Sequence, residues 1–361
     1  MKPRHRTILR ELLSVPTAPF IEEAVVEAVR RWAGRTGTAM TRDAAGNVLL
    51  HYRPAAGRGR HWVFAAHMDH PGFAAVRRRG RTLWAHFRGS VAAEYFPGAR
   101  VRFFAPGGEV VGRIDASHKG HLPWIRPCRL TLSRAADVPA GTVGMWDLPA
   151  MCIRGEVLAG RACDDVAGAA SVLCAMEEIA RRRIPARVTG LLTRAEEAGF
   201  VGCLAACESG TIPAGAYVVA IETSKAQPAA RLGDGVVIRV GDRARTWDPS
   251  LTAHIAEVAA RLARRDRRFR FTRQLMPGGT CESTPYSLWG HRASGLCLPL
   301  DNYHNQGPRG RIAPETIHTG DFAALVKLLT ALPADPADPA RADAALKRAL
   351  RKRLASGRSY L

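Results

Sequence analysis

HWVFAAHMDHPG, residues 61 to 72, is a short apolar strand that runs straight into His67, Met68, Asp69, His70, Pro71 and Gly72. An apolar run of this length fits a buried strand. Polar residues at its carboxyl end stand where open α/β sheets bind their ligands. Upstream the sequence predicts helices at about 4–14 and 20–33, the second carrying Ile21, Val25, Val26, Val29 and Trp32 at helical spacing, with Pro16 and Pro19 between them. A strand follows at 47–53. From 72 to 158 the chain changes to short alternating segments broken by Gly and Pro, such as 73–77, 82–87, 99–104 and 109–114, the pattern of a small β-barrel or sandwich. Helical stretches then return at 165–183, 200–208, 250–265, 282–289 and 320–331, alternating with strands at 187–193, 217–222, 235–241, 270–275 and 295–299. This is an α/β protein interrupted by a β-rich insertion. The expected division is a catalytic unit of 1–71 and 158–332, an inserted barrel of 72–157, and a Pro- and Asp-rich linker with a basic helix at 333–361. In that helix Leu346, Leu350 and Leu354 are expected to pack on the body or on a neighbouring chain.

The 361 residues carry 53 Lys plus Arg against 32 Asp plus Glu, a formal charge of +21. A basic face gains affinity for phosphates by releasing counterions. Here, however, only six basic residues are Lys and the 47 Arg are spread along the whole chain. That dispersal argues against nucleic acid as the main partner. The eight Cys contain no Cys-x-x-Cys pair and read as reduced thiols of a cytoplasmic protein. No signal-peptide core and no membrane-length apolar run is present, so no membrane partner is expected.

Five polar clusters sit near predicted strand ends: His67 with Asp69, Asp164 with Asp165, Glu196 with Glu197, Glu222, and His304. Each alone has an ordinary explanation, such as a satisfied loop histidine, a helix N-cap or a solvated acid pair. Together they bring two imidazoles and several carboxylates to one crevice, although up to 237 residues separate them. That donor set suits a metal ion, zinc above all. Neighbouring side chains of an extended segment point opposite ways, so only one of Glu196 and Glu197 is expected to ligate, leaving the other to move a proton. Asp69 can accept the second ring N–H of His67 and fix its tautomer.

The segments AAHMDHPGF (65–73), RGEVLAGRACDDVAG (154–168), LLTRAEEAGFVGC (191–203), VVAIETS (218–224), MPGGTCEST (276–284) and LPLDNYHNQ (298–306) resemble the di-zinc exopeptidase superfamily. The nearest likeness is to the deblocking or glutamyl aminopeptidases, which include the tetrahedral aminopeptidases. The resemblance covers about residues 5–330. It implies a mixed sheet flanked by helices with a β-barrel inserted after the first histidine motif. It also implies two divalent metals, zinc with cobalt or manganese as substitutes. Asp164 would bridge them, one held also by His67 and Glu222 and the other by Glu197 and His304. Glu196 would be the general base, Asp69 would orient His67, and the Asp164–Asp165 peptide would be cis. Gly278, Gly279 and Thr280 would border the substrate, with His70 at the mouth. The implied activity is aminopeptidase-like hydrolysis of small peptides by a homo-oligomer, a dimer or larger.

Three positions depart from the family pattern. Glu222 stands where its aminopeptidases usually carry Asp, His70 where relatives often have Glu, and Asp301-Asn302-Tyr303-His304-Asn305 replaces the usual lead into the last histidine. An amide deacylase or carboxypeptidase acting on N-acyl amino acids therefore stays open as the alternative. A basic nucleic-acid-binding protein with a vestigial metal site is the more remote one. The charge and His70 together lead to an expected preference for anionic substrates.

Overall fold

In this computed structural model residues 1–54 and 60–361 are described. An eight-stranded mixed sheet runs in the spatial order Ala39–Arg42, Val48–Tyr52, Arg187–Thr193, His61–His67, Tyr217–Lys225, Arg292–Leu300, Val236–Gly241 and Phe271–Leu275. The four central members, from Arg187–Thr193 to Arg292–Leu300, are mutually parallel. Their carboxyl ends therefore share one edge. Thr193 pairs with His67, and Ala220 with Ala65, so continuing the register brings Glu222 level with His67.

Alternation along His61–His67 divides the core. Trp62, Phe64 and Ala66 join the cluster built around the helices Pro3–Ser14, Glu23–Thr36, Cys163–Arg181, Pro249–Arg265 and Thr319–Ala331. Val63 and Ala65 face the opposite cluster, with Cys203 and Ala206 of Val201–Glu208 and Tyr286 of Ser283–Leu288. A strand apolar on both faces is what a parallel sheet covered by helices on both sides requires.

The interrupting segment closes into a six-stranded barrel, Gly72–Arg79, Thr82–Arg88, Ile125–Leu132, Gly108–Ser117, Arg100–Ala105 and Val143–Trp146 in order around it. Its interior is aromatic: Phe73, Phe87, Phe96, Phe103 and Trp146 are all buried. Phe73 meets Trp146 edge to face at 4.9 Å, an arrangement that favours the ring quadrupoles. A separate three-stranded antiparallel sheet joins Met151–Arg154, Val157–Gly160 and Glu315–His318.

Two strands escape the sequence reading. Ala39–Arg42 is a largely exposed edge strand, and Glu315–His318 is only four residues long. The tail differs as well. It forms the helix Ala342–Gly357, but Leu346, Leu350 and Leu354 are 60%, 50% and 54% exposed, so they do not pack on the body. No helix among the described residues is long and apolar enough to cross a membrane.

Candidate metal centre

The shared edge of the parallel strands gathers His67, Asp164, Glu196, Glu197 and Glu222 around one cavity of about 280 Å³, with His304 against Glu197. His67 is the last residue of its strand, and Glu222 lies near the end of the neighbouring one. Glu196 and Glu197 follow Thr193, and His304 follows Leu300. Asp164 arrives from the start of a helix rather than from the end of a strand. It stands in the first turn of Cys163–Arg181, in non-helical geometry, and is joined to Asp165 by a cis peptide bond.

Asp164 is central. Its Oδ1 lies 3.5 Å from Nε2 of His67 and its Oδ2 lies 3.6 Å from Nε2 of His304. Glu222 Oε2 is 3.8 Å from the His67 nitrogen, and Glu197 Oε1 is 2.9 Å from the His304 nitrogen. Donor atoms of His67, Asp164 and Glu222 lie within 4.8 Å of one another, as do those of Asp164, Glu197 and His304. Two three-residue sets thus share one carboxylate.

The charges explain themselves poorly without a cation. Burial opposes ionisation of Asp164, but the two imidazoles outweigh it and hold the carboxyl well below its ordinary range. Burial opposes the charged His67 and His304 too, and the surrounding carboxylates push both well above the ordinary value. Glu196 rises well above the usual carboxylate range. Burial is the main cause, with Glu222, Glu197 and Asp69 adding to it and His67 opposing. Glu222 Oε1 is buried and makes no hydrogen bond among the described residues, and carboxylates crowd the buried His304 Nε2. An unpartnered buried lone pair is costly, and this one sits among converging donor atoms. The donor set therefore fits divalent metal.

Glu196 is not extended beside Glu197, contrary to the expectation drawn from strand alternation. Ala195 is left-handed with φ 50°, and Glu196–Ala198 is a 3₁₀ turn. That turn aims both carboxylates at the cavity, and atoms of His67, Glu196 and Glu197 also come within 4.8 Å. What separates the two is reach. Glu197 touches His304, whereas Glu196 Oε2 stays 4.0 Å from His67.

Asp69 holds this turn. Its Oδ1 accepts from the Glu196 N–H and its Oδ2 from the Glu197 N–H, each at 3.0 Å. Against His67 the closer acceptor for Nδ1 is the Asp69 main-chain carbonyl at 3.1 Å, with the carboxylate at 3.4 Å. His70, expected at the mouth, is instead fully buried behind the site. Its ring bridges the Asp164 carbonyl and Oδ1 of Asn305. Enclosed there with both ring nitrogens turned to polar groups of the protein, it has nothing to offer a substrate. Gly278, Gly279 and Thr280 do line the cavity, together with Tyr303, which stacks on His304 at 3.8 Å. Cys281 is buried, and burial raises its thiol pKa, which leaves it a poor nucleophile.

Four contributors carry no motif. Glu315 is fully buried and accepts from the Asp164 N–H at 3.0 Å and the His304 N–H at 2.9 Å. It fastens the segments that carry Asp164 and His304 to one side chain. Thr223 donates to Asp164 Oδ1 at 2.9 Å. The Ser90 carbonyl, just past the barrel strand Thr82–Arg88, lies 2.7 Å from His304 Nδ1. Arg239, only 3% exposed, lines the cavity with its Nε unpaired and Nη1 donating to Ser224. Its one sequence signal is an arginine inside an otherwise apolar strand.

A family model described as M42 glutamyl aminopeptidase matches residues 133–328, which hold Asp164, Glu196, Glu197, Glu222 and His304. This chain belongs to the M42 family. It is accordingly a metal-dependent aminopeptidase, the activity that the matched family carries. Solved structures share the M42 fold. An aminopeptidase from the archaeon Desulfurococcus kamchatkensis has 18% identity and a TM-score of 0.75, covering 94% of this chain and 97% of that one. The TET1 peptidase of Pyrococcus horikoshii, described as assembling into a tetrahedron or a large octahedral shell, has 19% identity and a TM-score of 0.74, covering 91% and 99%. An endoglucanase from Thermotoga maritima has 17% identity and a TM-score of 0.67, covering 90% and 96%. No curated protein sequence matches.

Proposed function

We propose that this M42 chain removes amino-terminal residues from small peptides using two divalent metals, zinc in the native protein. His67, Asp164 and Glu222 would hold one, and Asp164, Glu197 and His304 the other. The observation that supports this most directly is Asp164, whose two oxygens each face a different histidine. Held by those residues, such cations would supply Lewis acidity, the chemistry that polarises a scissile carbonyl and lowers the pKa of water. Glu196, beside both sets yet outside either, takes the proton of the attacking water and returns it to the leaving amine. Asp69 keeps Glu196 and Glu197 in place through their backbone N–H groups and acts as a positioning residue.

Metal analysis with turnover of an aminoacyl anilide, before and after chelation, tests the reading. About two metals per chain, loss of turnover on chelation, and a Glu196→Gln variant that keeps its metal while turnover falls by about 10³-fold or more are expected. Full activity in the chelated protein would overturn it.

The substrate preference belongs to Arg239. Arg239 is a buried, always charged guanidinium at the cavity, and beside Glu222 and Asp242 it can still receive an anionic group of a substrate. Lys225 lines the same end. An acidic amino-terminal residue supplies that anion, as does the carboxylate of an N-acyl amino acid, the alternative substrate. A kinetic series of Glu-, Leu- and Lys-anilides beside N-acetyl amino acids separates these. The Glu-anilide should be fastest, and Arg239→Met should lower its kcat/KM about tenfold or more while leaving the Leu-anilide nearly unchanged. Fastest cleavage of the Lys-anilide sinks the preference, and fastest cleavage of the N-acetyl compounds moves the chain to the deacylase reading. We also place the chain in a homo-oligomer, since the structurally similar TET1 protein is described as forming closed shells.

A further inference from the structure

We propose that the tail helix Ala342–Gly357 docks this protein on an anionic lipid surface. The helix is held at its first turn, where Asp343 accepts a hydrogen bond from the Ser250 hydroxyl. From Leu346 to Ser356 every residue is exposed. Steps of four residues turn about 40° around a helix axis, so Leu346, Leu350 and Leu354 form a single stripe about 12 Å long. Lys347 and Arg351 lie along one side of it and Arg353 along the other, while Arg348 and Lys352 fall on the far face. After Asp343 the sequence contains six basic residues, these five and Arg358, and no acidic side chain.

That combination selects among occupants. A second copy of this helix would bring an equal set of Lys and Arg against the first with no acidic side chain beyond Asp343 to pair them, so the two leucine stripes would be buried only against local repulsion. Nucleic acid would satisfy the Lys and Arg but leave the leucine stripe in water. An anionic bilayer takes both faces at once, the phosphates meeting the basic flanks while the leucines enter the boundary between headgroups and acyl chains. The helix is too polar to span, so it would lie in the plane of the surface.

Co-sedimentation of the full chain with vesicles tests this, comparing pure phosphatidylcholine with phosphatidylcholine containing about one third phosphatidylglycerol. Binding is expected only to the second, and it should weaken steeply between low salt and about 0.5 M salt. The triple variant Leu346→Ala, Leu350→Ala, Leu354→Ala keeps a strong helix former at each position and should bind about tenfold or more weakly. A chain ending at Arg341 should not sediment, with anilide turnover undiminished in both variants as proof of folding. Equal binding to both vesicle types, unchanged binding by the triple variant, or no binding at all would overturn the proposal. So would tight tail-dependent binding of duplex DNA without vesicle binding, or a tail-dependent dimer.

Discussion

Glu315 shows how one side chain can govern a site that it does not line. It accepts from the backbone N–H groups of both Asp164 and His304, two residues that motif reading finds readily while Glu315 itself looks like any acid in a short strand. The residues proposed as ligands were legible because histidines and paired acids at strand ends are rare. Glu315 and Arg239 were not, because a lone charge in a strand ordinarily faces solvent and only the three-dimensional pairing shows otherwise. His70 misled for the converse reason, since its neighbours in sequence are at the site while its ring points behind it. Glu315→Gln keeps one acceptor oxygen but turns an amide N–H₂ toward a backbone donor. Metal affinity should fall by about 10- to 100-fold, as read by titrating apo-protein against a chromophoric chelator. An unchanged affinity would show that the two segments hold themselves. His304 itself has φ 56°, flanked by Asn302 at 55° and Asn305 at 62°. Such a left-handed run persists only where surrounding bonds fix it, and Glu315 and Ser90 supply those bonds.

At the scale of elements, periodicity served where an element was long and buried on one face. The helix expected near 165–183 is observed as Cys163–Arg181, and the strand read at 61–66 extends to His67. It failed where an element owes its existence to a partner, as Glu315–His318 owes its own to Val157–Gly160, more than 150 residues earlier. The junction of Pro3–Ser14 with Cys163–Arg181 also invites a test. Glu178 is buried near the end of the second helix and meets Lys2 at 2.5 Å, Arg4 at 2.8 Å and Arg181 at 2.8 Å. Burial opposes its charge, but Arg181, Lys2 and Arg4 outweigh that and hold its carboxyl well below the usual range. A carboxyl depressed in the folded state contributes stability above its unfolded pKa, about 4.3, and loses it as pH falls toward the folded value. Glu178→Gln should therefore cost about 2 kcal/mol at pH 7. The gap from the parent should narrow progressively below about pH 4, as measured by urea unfolding at several pH values. A gap that stays constant down to pH 3 would contradict the assignment.

For the whole molecule, the +21 charge and the assembly must be reconciled. Copies this basic repel at low salt, and screening shortens that repulsion to about 8 Å near physiological ionic strength. Light scattering should therefore find the oligomer gaining mass as salt rises from about 0.02 to 0.2 M. A monomer at every salt concentration would refute the assembly. Charge was the most visible property of the sequence and the least informative about its chemistry, because it is scattered over the surface while the acidic cavity is drawn from a handful of residues. The barrel adds its own condition, since the Ser90 carbonyl that orients His304 comes from it. Together with Glu315 this sets an order of events during synthesis. Asp164 is synthesised about 150 residues before the side chain that fastens it, so its backbone N–H waits for that partner. A centre whose parts are made so far apart closes only after Glu315 has joined the chain.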